Sequence, residues 1–106
     1  MQQISPIFLQ HELLENPDAY FLLDVREAFE YQIAALANSV LMPMTQVPKH
    51  AKELDKEIPI VVICHHGMRS ESVANFLDDQ GFTQVFNLTG GIHAWAQSCD
   101  EKMTLY

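Results

Sequence analysis

Ile58-Pro59-Ile60-Val61-Val62-Ile63-Cys64-His65-His66-Gly67-Met68-Arg69-Ser70 passes from an apolar run into a polar heptad, after which Val73, Phe76 and Leu77 recur at helical spacing. The pattern predicts a buried strand, a tight loop and a helix from about Ser70, with a thiol at the strand-to-helix corner. If Cys64 to Arg69 curl over the first helical turn, their backbone N–H groups converge on one point in line with the positive helix end. The expected occupant of that point is the sulfur of Cys64, and such a site favours the nucleophilic thiolate. Gly67 permits a positive φ, Arg69 brings a permanent planar cation to the rim, and Ser70 offers a hydroxyl that can cap the helix or bond an anion. A cysteine ending a buried strand is more often only a small hydrophobe. A structural cysteine, however, has no need of Gly, Arg and Ser at these offsets.

Outward from the loop, strands and helices alternate through short links. Gln3 to Ser5 reads as a short strand and Phe8 to Leu14 as a helix ended by Asn16-Pro17-Asp18. Ala19 to Val25 is a continuous apolar run, as in a strand covered on both faces. Glu27 to Ile33 reads as helical, Val40 to Met42 as a strand, and Thr45 to Leu54 as a helix with Pro48 early in it. Gly81-Phe82 suits a left-handed stop to the helix after Cys64, with Phe82 packing back on Leu77. Gln84 to Leu88 is a last strand, Gly90-Gly91 a turn and Ile92 to Gln97 a short helix carrying Trp95. From Ser98 the tail has no pattern. This order predicts an α/β fold with a parallel sheet and helices on both faces.

The 106 residues, 48% hydrophobic, suffice for one domain spanning 1–106 with a single core. Met1 to Ser5 carry no positive charge and Pro6 interrupts before any long apolar run, so no signal peptide is expected. With only Cys64 and Cys99 and no CxxC pair, the expected setting is a reduced cytoplasm; a bridge between the two is left open. The formal charge of −8 argues against nucleic acid or an anionic membrane as partner. A small anion at the loop would be held by local amides and Arg69, since the overall field opposes it beyond about 8 Å at physiological salt.

The heptad resembles the active-site loop of the rhodanese sulfurtransferases, Cys-x-x-Gly-x-Arg-Ser. Asp24-Val25-Arg26-Glu27 with Glu30-Tyr31 is similar to that family's Asp-Val-Arg stretch. Gly81-Phe82, Val85, Asn87-Leu88, Gly90-Gly91-Ile92 and Trp95 resemble its closing segment. The likeness runs from about Gln3 to Gln97 and leaves 98–106 as an unassigned tail. It implies a single rhodanese domain with a five-stranded, mainly parallel sheet and the reactive cysteine after a central strand. Two departures stand out. Asn38-Ser39 replaces the common Gly-Ala, in a turn that Asn can take because it visits the left-handed region. His65 and His66 stand where many relatives have a fixed cation, so their charge depends on pH.

Four residues separate Cys64 from Arg69. Cysteine phosphatases that share the fold have one more, giving a cradle wide enough for a phosphoryl group, and the shorter loop resembles those that handle sulfur. The resemblance thus implies a sulfurtransferase in which Cys64 takes the sulfane sulfur of a donor such as thiosulfate, becomes a persulfide and passes the sulfur to cyanide or a thiol. Cys64 is the expected nucleophile. His65, His66, Gly67, Met68, Arg69 and Ser70 are expected to line the donor site, with Arg69 on the sulfonate, and Asp24 and Arg26 to brace the domain near the loop. The alternative is a sulfur-relay or interaction module on the same fold, docking on another protein. No cofactor is expected. No metal is expected either, because the side chains of adjacent His65 and His66 diverge in most backbone conformations and His93 and His11 lack a partner at ligand spacing. Trp95 is expected to pack in the core, and Cys99 to be a bystander in the tail.

Overall fold

The computed structural model describes residues 1–106. In chain order it contains β1 (Gln2–Ile4), α1 (Pro6–Glu15), β2 (Phe21–Asp24), α2 (Ala28–Ile33), β3 (Val40–Leu41), α3 (Val47–His50), β4 (Ile60–Ile63), α4 (Met68–Asp79), β5 (Val85–Leu88) and α5 (Gly91–Ser98). The strands form one sheet in the order β1-β5-β4-β2-β3, and every neighbouring pair is parallel. The expected mainly parallel sheet is therefore wholly parallel.

Alternation along the strands divides the core. Ile60 and Val62 of β4 point to one face with Leu23, where Val73, Ala74 and Leu77 of α4 and Val47 and Ala51 cover them. Val61 and Ile63 point to the other with Leu22, under Leu9 of α1 and Ile92 of α5. All four β4 side chains are buried, which is why this strand is uniformly apolar in sequence. Its C-terminal end delivers Cys64 to the loop edge of the sheet.

Local chemistry sets the ends of the elements. Ser5 accepts the N–H of Phe8 at 3.1 Å and Pro6 opens α1. α4 ends with Gly81 at φ +92°, the Phe82 N–H on Leu77 O and the Gly81 N–H on Asp78 O, a Schellman closure with Phe82 buried beside Leu77. Asn38 takes φ +66°, as expected of a turn that replaced glycine, and the Ser39 hydroxyl donates to Leu36 O at 2.7 Å.

Two expectations are corrected. α4 begins at Met68 rather than near Ser70, because Gly67 adopts φ +101° at its N-cap. The single helix expected over Thr45 to Leu54 is broken into a 3-10 turn at Met44–Gln46, α3, and a second 3-10 turn at Ala51–Glu53. Pro48 withholds an N–H there, and burial of Val47 and Ala51 holds so short a run in place. The tail, unassigned from the sequence, is held by contacts: Gln10 donates to Cys99 O at 3.2 Å, and Met103 and Tyr106 pack against the second core cluster. Single side-chain contacts fix it, and these leave no periodicity to read.

Candidate active site

Cys64 is 1% exposed, and its Sγ receives the Gly67 N–H at 3.1 Å. The Ser70 hydroxyl lies 3.2 Å from the same sulfur and also against Asn87 Oδ1. Asn87, from β5, is oriented by its amide, which donates to Gly67 O at 3.2 Å and to Gln3 Oε1 at 2.9 Å. Its oxygen must therefore face Ser70. The full convergence of amides on the sulfur is not observed, because only Gly67 reaches it. The N–H groups of His65, His66, Met68, Arg69 and Ser70 have no partner in the protein, as befits the start of a helix.

α5 docks on this loop through its first turn. The Ile92 N–H donates to Cys64 O at 2.9 Å and the His93 N–H to His65 O at 3.1 Å. Such an approach needs glycine at 91, where φ is +62° and any Cβ would run into the carbonyl oxygens of Cys64 and His65.

Arg69 makes a two-pronged ion pair with Glu30 of α2, at 2.7 and 2.8 Å. Glu30 also accepts the Glu27 N–H at 3.1 Å and the Tyr106 hydroxyl at 3.0 Å. Arg69's hydrogen bonds, working against the effect of burial, hold the Glu30 carboxyl at about 2. The Arg69 side chain remains 37% exposed at the rim. Behind this pair, Arg26 is fully buried and donates to Asp24 (2.7 and 2.9 Å), Glu30 O, Ala34 O and the Tyr106 oxygen. No N–H-bearing nitrogen of this buried cation is left without an acceptor, and it ties β2, α2 and the tail together beneath the loop.

The histidines do not diverge. The rings of His65 and His66 lie 4.0 Å apart between centroids, and His93 comes within 5.0 Å of His66 and 6.1 Å of His65. Curling of the loop about Gly67 and the docking of α5 bring them together. Tyr106 stacks on His65 at 3.8 Å with an interplanar angle of 2°. Burial, with the neighbouring His66, pushes the His65 imidazole below its ordinary value. Met68 is 83% exposed at the edge of a polar cavity of about 370 Å³ that also touches His66, Glu71 and Thr89.

Sequence reasoning missed Glu30, Asn87, His93 and Tyr106 as site residues. Asn87 carries a signal, a polar residue in an apolar strand. Glu30 stands in the stretch that resembles the family, whereas nothing local marks Tyr106. His11 is exposed on α1 and is not part of the histidine cluster. Trp95 is half-buried against the second core cluster, and both thiols are free, with Cys99 pushed up by burial and by Asp100. No helix is long and apolar enough to cross a membrane.

The site thus brings together a thiol at the end of a central parallel strand, a loop with unpartnered N–H groups and a braced arginine, the kinds of group that can attack and then hold an anion. The chain is 37% identical over 84 residues to the thiosulfate sulfurtransferase GlpE of Coxiella burnetii, covering 79% of this chain and 78% of that protein. To the protein of the same name from Pseudoalteromonas translucida it is 32% identical over 92 residues, 87% of each. A crystal structure of a rhodanese-related protein from Thermoplasma volcanium superimposes with a TM-score of 0.82 at 34% identity, covering 93% of this chain and 94% of that one. The family model for the rhodanese-like domain matches residues 9–98, taking in both the Asp24–Arg26 brace and the loop around Cys64, and the chain belongs to the rhodanese-like domain family.

Proposed function

We propose that the chain is a sulfurtransferase that moves the sulfane sulfur of thiosulfate to a thiophilic acceptor through a persulfide on Cys64. The Cys64 thiolate attacks the outer sulfur, the S–S bond of the donor breaks and sulfite leaves with the bonding pair. The new terminal sulfur carries the negative charge. A second nucleophile, cyanide or a thiolate, then takes that sulfur and returns Cys64 to thiolate. No proton donor is required, since sulfite and thiolate leave readily.

The observation that carries this reading is a buried sulfur bonded by the Gly67 N–H, in a loop whose other N–H groups have no partner in the protein. Such donors would stabilise the terminal persulfide sulfur as an oxyanion hole stabilises oxygen. Arg69 uses one N–H of each terminal nitrogen on Glu30, so its remaining N–H groups are available to the donor's sulfonate. His65, His66 and Met68 would line the entrance, and Asp24 and Arg26 would hold the frame. The names of the relatives from Coxiella burnetii and Pseudoalteromonas translucida support thiosulfate as donor. A reducing cytoplasm suits two free thiols.

Intact mass of the reduced protein before and after excess thiosulfate tests the first half-reaction. One sulfur atom should be added to the parent chain and none to Cys64→Ser. An unmodified parent, or an adduct that survives in the serine variant, would remove the mechanism.

A further inference from the structure

We propose that His65, His66 and His93 form a three-imidazole site for a first-row divalent cation of the zinc class at the mouth of the Cys64 loop. One ring nitrogen from each lies within 4.8 Å of the others. Tetrahedral zinc with Zn–N bonds of 2.0–2.1 Å needs these nitrogens about 3.3 Å apart, so the rings must close by about 1.5 Å at most. Backbone bonds already fix two of the three. The His93 N–H on His65 O, and the absence of a Cβ on Gly91, set how near the two residues stand. Tyr106 holds the His65 ring by stacking, while exposed His66 is free to turn inward.

The second observation is chemical. His65 Nε2 and His93 Nδ1 are buried and have no hydrogen-bond partner. Buried polar atoms are ordinarily satisfied, and two ring nitrogens so placed call for an occupant. Both atoms are carried by residues of this cluster. A cation suits the site better than an anion, because the chain's formal charge is −8 and its field draws cations inward. An all-imidazole donor set selects zinc, copper or nickel over magnesium or calcium, which prefer oxygen. Exposure of His66 leaves a fourth position open to water. A bound ion would pin α5 to the loop and narrow the approach to Cys64, so metal and sulfur donor would compete.

The test is calorimetric titration of the Cys64→Ser chain with Zn²⁺, which removes the thiolate as a rival ligand. One equivalent should bind. Loss of an outer-shell partner alone commonly costs about 10–100-fold, so His93→Ala and His66→Ala should each weaken binding at least tenfold. His11→Ala, an exposed histidine outside the cluster, should leave affinity unchanged. His66 is exposed and its replacement leaves the core intact, so it decides the matter if His93→Ala fails to fold. Absence of binding by the Cys64→Ser chain, or unchanged affinity in either folded alanine variant, overturns the site.

Discussion

Ser70 has one hydroxyl proton and two acceptors within reach, Cys64 Sγ and Asn87 Oδ1. While sulfur is protonated, the thiol can donate to Ser70 and the hydroxyl can stay on Asn87. Once sulfur is a thiolate, the stronger acceptor draws the hydroxyl proton, because hydrogen bonds to ionised groups are roughly twice as strong as neutral ones. Asn87 cannot turn away, since its amide is held by Gly67 O and Gln3. Ser70→Ala should therefore slow sulfur loading from thiosulfate by about ten- to a hundredfold, the worth of one bond to a charge. It should also destabilise the fold by about 1–3 kcal/mol, because Asn87 Oδ1 loses its partner in a buried site. Stopped-flow loading rates and urea unfolding separate the two effects. A variant that is less stable but loads sulfur at the parent rate makes Ser70 a packing group only.

Among the elements, α5 holds the backbone of the loop, since its first turn carries His93 and bonds the carbonyls of Cys64 and His65. Gly91 and Gly81 test that docking against simple backbone strain. Both have positive φ, yet a Cβ at 81 would meet nothing within 4 Å, whereas one at 91 would strike two loop carbonyls. Gly81→Ala should cost about 1–2 kcal/mol, the left-handed penalty alone. Gly91→Ala should exceed it by about 1–3 kcal/mol of overpacking and should impair sulfur loading, which Gly81→Ala leaves intact. Equal effects in thermal melts and loading assays would mean that α5 does not position the loop. The same contrast explains what was legible beforehand. β4 announces itself because burial on both faces demands an unbroken apolar run, and α4 because its buried face repeats at helical spacing. The heptad is readable because its chemistry is local. His93 and Asn87 reach the loop only after α5 and β5 are docked, and spacing in the chain does not encode that distance.

At the scale of the whole molecule, one carboxylate joins three distant segments. Glu30 of α2 accepts from Arg69 at the loop and from Tyr106 in the tail, and its main-chain carbonyl accepts from Arg26. The tail's part in this frame was unreadable because Tyr106 acts as a single residue, outside any repeat. Acid should dissolve the frame in a defined range. In the unfolded chain Glu30 takes up its proton near 4.5, whereas in the fold Arg69 holds it at about 2. Between those values the unfolded chain binds a proton that the folded chain refuses, so stability falls as pH falls. The contribution is complete above about 4.5 and lost once pH passes below about 2. Arg69 is partly exposed, so screening reduces the effect, and we expect it to be on the order of 2 kcal/mol. Urea unfolding of the parent and of Glu30→Gln at a series of pH values should show a shallower acid limb in the variant, with the two chains converging as pH approaches 2. Parallel curves down to that pH would mean that the Arg69–Glu30 pair contributes nothing to acid resistance, and that the loop's arginine is held by packing alone.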